Sequence, residues 1–338
     1  MASEHYVIIG NGPAANQAAL TLREKTPEAR ITMIGRERSG FYKSHLLPEF
    51  IAGRISEDQL FVYPTDHYRD KRINLRLGQQ VVGIDFSARC IILDHKETVR
   101  YDGLIIAVGG KPRIPEYLES FAHLLLTLKT LEDARCWIDQ LASVESVLLI
   151  GGDLTSLSLT KSLLTLRKDV SFVLCEDAFW PLRFNVDIQN EVSEKLSAKG
   201  VKVLGCRRIL RIEGVRGDCL QVETDQETLS VGLVGAFYGL VPDIAFLRYS
   251  GLDMERGILV NEYLETRFPG VYAAGDCAQV YHPGLRDYWV SIGFRNAAHL
   301  GKIAACNLVG SRVPAEVSPE SIFRLDDIAV NVSWWMEF

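Results

Sequence analysis

The run Gly10-Asn11-Gly12-Pro13-Ala14-Ala15 holds the residue types that let a backbone receive a pyrophosphate. Gly10 allows a tight turn and Gly12 lets phosphates come up to the main chain. Small Ala15 lets the following helix pack close to the preceding strand, so that the anion rests on the helix N-terminus. The surrounding sequence supplies those elements. Tyr6-Val7-Ile8-Ile9 is a short β-branched run that reads as a buried strand, and Ala18, Ala19, Leu20 and Leu22 follow at helical spacing. Far along the chain, Thr266 to Asp276 reads as a strand closing on Gly275-Asp276. Between them, Ser143 to Ser158 repeats strand, turn and helix with altered chemistry: Gly151 is kept, Asp153 stands at the second glycine position and Ser156 at the third.

Composition bounds what such motifs serve. A length of 338 residues fits two domains. A net charge of −6 gives no reason to expect a nucleic-acid partner. No apolar run approaches the ~20 residues of a membrane span, and Met1 to His5 has no basic segment ahead of an apolar one, so a cytoplasmic location is expected. The seven cysteines (Cys90, Cys136, Cys175, Cys206, Cys219, Cys277, Cys306) include no C-x-x-C pair, which argues against a disulfide framework, a zinc ribbon or an iron-sulfur ligand set. The histidines form no pair at ligand spacing, and no metal is expected.

In this order the motifs resemble the flavin reductases of the pyridine nucleotide-disulfide oxidoreductase superfamily, nearest to NADH:rubredoxin reductases and the flavin half of assimilatory nitrite reductases, over residues from about 5 to 310. The resemblance implies an α/β fold of two Rossmann-like dinucleotide-binding domains, the second inserted in the first. Residues 1–112 and 243–310 would bind FAD, residues 113–242 would form an NAD(P)H-binding-like domain, and 311–338 would be a short tail. It implies FAD as cofactor, with Gly10, Gly12, Pro13, Ala14 and Ala15 at the pyrophosphate and Gly275-Asp276 at the ribityl chain. Tyr42, Val82, Ala107, Gly109 and Trp289 join the cofactor-binding set. Residues 293–310 match the helix whose N-terminus is directed at the flavin ring.

Several positions depart from the family pattern. Lys43 replaces an arginine, keeping the charge for a pyrophosphate and losing the bidentate fork. Ser44 falls where some relatives keep a redox cysteine, which excludes peroxide or disulfide chemistry by that route. Glu37 is the candidate acid for the adenosine ribose, the usual place being Gly35 with Arg36 beyond it. His45 has two readings, a flavin-proximal group with Lys43 or an exposed loop histidine, the second preferred. In the second nucleotide motif, the Asp153 side chain would obstruct a pyrophosphate, its anion ~4 Å from a phosphate at an effective dielectric of ~20 would repel it by ~4 kcal/mol, and Ser156 would push the helix from its strand. Ser158 stands where the family keeps a glutamate beside the nicotinamide, and Glu176 reaches the ribose position only if the turn is redrawn. Asp153 is also a favourable helix cap. Arg167-Lys168 reads as a charged helix end in preference to a 2'-phosphate site, and Arg207, Arg208, Arg211 and Arg216 as a solvated face in preference to a docking patch.

The expectation is therefore an FAD oxidoreductase or electron-transfer subunit that passes electrons to an iron-sulfur or rubredoxin-like partner protein or within a larger complex. It would not bind NAD(P)H directly, its second domain being vestigial, and it would be oligomeric. Two alternatives stand: an NADH-dependent FAD reductase of the rubredoxin, ferredoxin or nitrite reductase type, and a non-catalytic FAD-binding assembly subunit. The apolar end Trp334-Trp335-Met336-Glu337-Phe338 either packs back on the chain or docks on another.

Overall fold

The computed structural model describes residues 3–64, 66–174, 186–205, 207–215, 219–284, 286–290, 293–315, 320–325 and 328–333. Cys175, Glu176, Cys206, Arg216 and the stretch 334–338 lie outside the described residues. The chain forms two compact units, Met1–Tyr42 with Phe61–Lys111 and Val241–Ser318, and Lys43–Leu60 with Pro112–Leu240 and Pro319–Phe338.

The first unit is built on a five-stranded parallel sheet in the order Val271–Ala273, Gly103–Ile106, His5–Ile9, Arg30–Gly35, Ile73–Leu77. A parallel sheet covered on both faces demands continuous apolar strands instead of alternating ones, and Val7, Ile8, Met33, Leu104, Ile105 and Ile106 are all shut away from solvent. Helix Pro13–Lys25 leaves the first strand through the glycine turn and buries Ala14, Ala15, Ala18, Ala19 and Leu22. Helix Phe294–Leu308 lies against it so closely that a Cβ on Gly301 would overlap the Ala14 carbonyl oxygen. An antiparallel sheet of Val81–Asp85, Cys90–Leu93 and Thr98–Arg100 forms where the sequence reads as short strands around the turn Asp94 to Glu97. A smaller sheet of Ile258–Val260, Ala278–His282 and Asp287–Val290 precedes the last helix.

The second unit repeats the plan. Its parallel sheet runs Lys202–Leu204, Asp169–Leu174, Ser146–Gly151, Leu233–Phe237, Leu125–Leu126, with Ser146–Gly151 central and buried from its second residue on. Helix Leu131–Leu141 starts in a capping box in which Thr130 accepts from the Asp133 amide and the Asp133 carboxylate accepts from the Thr130 amide. Helix Leu154–Thr165 follows the second glycine turn, and Val186–Ala198 leads to the strand Lys202–Leu204. The antiparallel meander Ile209–Val215, Cys219–Thr224, Thr228–Val231 and the hairpin Glu320–Leu325, Ile328–Ser333 complete the unit. Residues Lys43–Leu60 also belong to it, their helix Leu47–Ile51 packing on helices Leu131–Leu141 and Leu154–Thr165.

The Gly301 contact gives a test. Glycine to alanine within a helix ordinarily gains about 1 kcal/mol. At position 301 the new methyl meets main chain that cannot yield, so Gly301→Ala should instead destabilise by roughly 2–3 kcal/mol. Gly205→Ala, with open space around it, should stay within about 0.5 kcal/mol. Urea midpoints of the two variants check both.

Candidate functional site

At the first turn, Gly10 has φ +128°, and a Cβ there would overlap the carbonyl oxygen of Ala107 on the neighbouring strand. Its amide donates to Ile34 O at 2.8 Å, so the turn is pinned to the strands on both sides. Gly12 is the opposite case. Its backbone is extended, and beyond its chain neighbours no heavy atom of the described residues lies within 4 Å of where its Cβ would stand. Helix Pro13–Lys25 then starts with Pro13 in its first turn and no side-chain cap on its amides. An uncapped helix N-terminus facing open space across a glycine is a cradle for a phosphate.

The cradle is held by residues that the sequence reading did not single out. Buried Asn16 donates through Nδ2 to the carbonyl oxygens of Asn11 (2.9 Å) and Gly12 (3.0 Å), and its Oδ1 accepts from the Tyr68 hydroxyl at 2.5 Å. Asn11 in turn donates to Ser39 O at 3.1 Å. An asparagine on the apolar face of Pro13–Lys25 was the available signal, since a buried amide needs partners. Gly275, at φ +78°, brings the strand end against the same helix, its missing Cβ 3.0 Å from that of Ala14 and 3.5 Å from that of Ala297. Asp276 follows directly. The Cys277 thiol is buried and donates to Ile106 O and Ala274 O; burial pushes it up to about 11, so it stays protonated and structural.

Thus Gly10, Gly12, Pro13, Ala14, Ala15, Ala107 and Gly275-Asp276 converge at the ends of the central strands. Gly109, at φ +68°, lies two residues beyond Ala107 and accepts from the Asp243 amide. Glu37, just past the second strand, accepts from the Tyr42 hydroxyl at 2.6 Å, while Arg36 pairs with Asp243 at 2.7 Å. Val82 is the residue that the ladder skips at a bulge between Val81 and Gly83, and its side chain is exposed. Trp289 is buried on the three-stranded sheet that precedes the last helix, opposite Val280. Lys43 and His45 belong to the second unit, where His45 is exposed and its imidazole is shifted downward, by desolvation first and by Lys43 second.

The second turn starts alike and ends differently. Gly151, at φ +108°, sits where a Cβ would overlap Phe237 O, as at Gly10. That oxygen accepts from Gly152 N (2.9 Å) and Asp153 N (3.3 Å). The Asp153 carboxylate does not project outward. One oxygen accepts from Ser156 N at 2.9 Å, capping the helix, and the other accepts from Gly239 N at 3.2 Å. Burial pushes its pKa up to about 6 against the pull of those amides. Ser156 is fully buried, its hydroxyl donating to Asp153 O, and Ser158 donates to Leu154 O. Lys168 donates to Val144 O at 2.6 Å and faces Glu145, which makes it a structural clasp. Arg207 and Arg211 pair with Glu227 (2.9 Å) and Glu213 (2.8 Å), so two of the arginines of that stretch have carboxylate partners. Among the described residues no helix is long and apolar enough to cross a membrane, and no cluster of His, Cys, Asp and Glu could hold a metal ion.

Comparison with known proteins matches residues 4–299 to the model of the pyridine nucleotide-disulphide oxidoreductase family. The putidaredoxin reductase of Pseudomonas putida is 28% identical over 94% of this chain and 77% of its own. The nitric oxide reductase FlRd-NAD(+) reductase of Klebsiella pneumoniae is 28% identical over 82% of this chain and 73% of its own. Among solved structures, the covalent putidaredoxin reductase-putidaredoxin complex superposes with a TM-score of 0.86 at 24% identity, covering 96% of this chain and 79% of that one. The fold is of the Rossmann type expected from the sequence.

The Asp153 carboxyl makes stability depend on pH with a definite sign. Its folded pKa, about 6, lies above the ordinary 3.8, so the folded state holds the proton more tightly. Its contribution is fully present below 3.8 and is lost as the pH rises through about 6, amounting to up to about 3 kcal/mol. Asp153→Asn should remove that slope. Urea midpoints at both ends of the window check it, and a constant difference between the two proteins would contradict the buried carboxyl.

Proposed function

The chain belongs to the pyridine nucleotide-disulphide oxidoreductase family and is an FAD-dependent oxidoreductase, and from that premise we propose that it is an NADH-dependent flavin reductase serving a small redox partner protein. What carries this reading is the naming of its relatives. Two that each match more than four-fifths of this chain are named as reductases of a partner protein, one of them linked to NAD(+). The sequence alone favours a vestigial second domain; these relatives favour the other reading, and the retained turn at Gly151 supports it.

In this proposal residues 1–112 and 243–310 hold FAD and 113–242 receive the nicotinamide. FAD, when bound, would supply the redox chemistry between nicotinamide and acceptor, while the protein supplies placement and electrostatics. The open backbone at Gly12 and the uncapped amides of Pro13–Lys25 fit a pyrophosphate, and Asp276 at the converging strand end fits a ribityl hydroxyl. The reading assigns Glu37, which accepts from the Tyr42 hydroxyl, to the adenosine ribose. Lys43 is assigned a charge role toward the pyrophosphate, and Val82, Ala107, Gly109 and Trp289 line the remainder. The partner is an iron-sulfur or rubredoxin-like protein, separate or within a larger complex.

Two measurements test this. In an anaerobic visible-absorbance titration, NADH should bleach the flavin band stoichiometrically, with dithionite as control. Bleaching by dithionite but by neither NADH nor NADPH would return the second domain to the vestigial reading. Gly12→Val meets no protein atom at its Cβ, so it should keep the wild-type circular dichroism while purifying with at least about tenfold less flavin. Full flavin content in that variant counts against the cradle.

A further inference from the structure

The two glycine turns of this chain share one beginning, a glycine locked under the carbonyl of the adjacent strand, at Gly10 under Ala107 and at Gly151 under Phe237. They differ in what becomes of the donors beyond it. In the first unit the helix has no side-chain cap and Gly12 faces open space. In the second, the amides of Gly152 and Asp153 are drawn to Phe237 O, the Ser156 amide is taken by one Asp153 oxygen and the Gly239 amide by the other. Gly239, at φ +81°, lies in the turn after the strand Leu233–Phe237, so the carboxylate ties the start of helix Leu154–Thr165 to the end of a neighbouring strand. Anionic in charge and bridging backbone N–H groups at a helix N-terminus, this carboxylate does what a dinucleotide phosphate does in such a turn.

We propose that Asp153 sets the strength of nicotinamide binding by standing in for the dinucleotide pyrophosphate, occupying the amides of Ser156 and Gly239 so that the nucleotide binds only when the side chain is displaced. This rests on the nicotinamide dependence proposed above. Asp153 is a positioning and specificity residue that acts on affinity through the donors it occupies. The account differs from simple charge repulsion in one checkable way. Repulsion is relieved once the charge is removed, whereas occupancy is relieved only when the side chain itself is gone.

The experiment is anaerobic stopped-flow reduction of the FAD-loaded protein across NADH concentrations, which separates half-saturation from the limiting rate. Calorimetric titration of NAD(+) into the oxidised FAD-loaded protein, where no electrons can pass, gives an equilibrium readout. Asp153→Gly should lower half-saturation and Kd by about ten- to a hundredfold, the scale of charge-assisted hydrogen bonds removed, while the limiting rate stays within about twofold. Asp153→Asn, whose single oxygen keeps the cap while its NH2 still fills the space beside the Gly239 amide, should recover only a small part of that gain. Should the glycine variant be too unstable, Asp153→Ser keeps a short cap and frees Gly239, and it should show the larger part of the gain. Equal gains in the asparagine and glycine variants overturn occupancy. Unchanged half-saturation in every variant, with NADH still bleaching the flavin, overturns the role of Asp153 and leaves the proposed function standing. If dithionite bleaches all of them and NADH none, the proposed function fails and this inference with it.

Discussion

The fold depends on a repulsion that only glycine avoids. In each unit the central strand ends directly beneath a carbonyl oxygen of its neighbour, Ala107 over Gly10 and Phe237 over Gly151, and a β-carbon at either place would share the space of that oxygen. Because the strands are parallel and in register, Ile9 beside Ile106 and Ile150 beside Ala236, this close approach fixes where the chain turns and where the next helix begins. The aim of that helix decides what the turn can hold. The same economy of side chains lets helices Pro13–Lys25 and Phe294–Leu308 approach until Gly301 touches the main chain of Ala14. The apolar core surrounds these contacts, and the contacts set its register.

From one starting geometry the two turns diverge through a single side chain. Gly12 leaves the first helix open, whereas Asp153 closes the second upon itself. Family membership and this local closure pull in opposite directions, the relatives pointing to nicotinamide and the closed turn to weakened access. Both hold if access is graded and not absent, which places the chain's individuality in affinity and leaves its type of chemistry that of the family.

Much of this was legible in the sequence because it is local. The strand Tyr6 to Ile9, the glycine turn and the helix after it are read from spacing, and so are the antiparallel strands around Asp94 to Glu97 and the cap at Asp153. What escaped was long-range. Nothing near Asn16 announces that Tyr68 will bond its side-chain oxygen, and Gly301 reads as an ordinary small residue until Ala14 lies beneath it. Lys43 and His45 follow Tyr42 directly, yet their segment packs with the second unit, a matter of contacts far away in sequence. The second partner of the Asp153 carboxylate escaped for the same reason. The sequence shows an anion at a phosphate position, but its partner Gly239 lies 86 residues further on. Likewise Arg207 and Arg211 look basic only until Glu227 and Glu213 are placed beside them.

The meeting of Ala14 and Ala297 at Gly275 carries one more implication. Each alanine lies in the first turn of its own helix, so the positive poles of two helices of 13 and 15 residues converge on one strand end, next to Asp276. For an electron carrier seated there, the convergence is a standing voltage that favours whichever redox state bears more negative charge. Peptide dipoles do not titrate, so that voltage comes from backbone geometry and persists across pH values at which side-chain charges come and go.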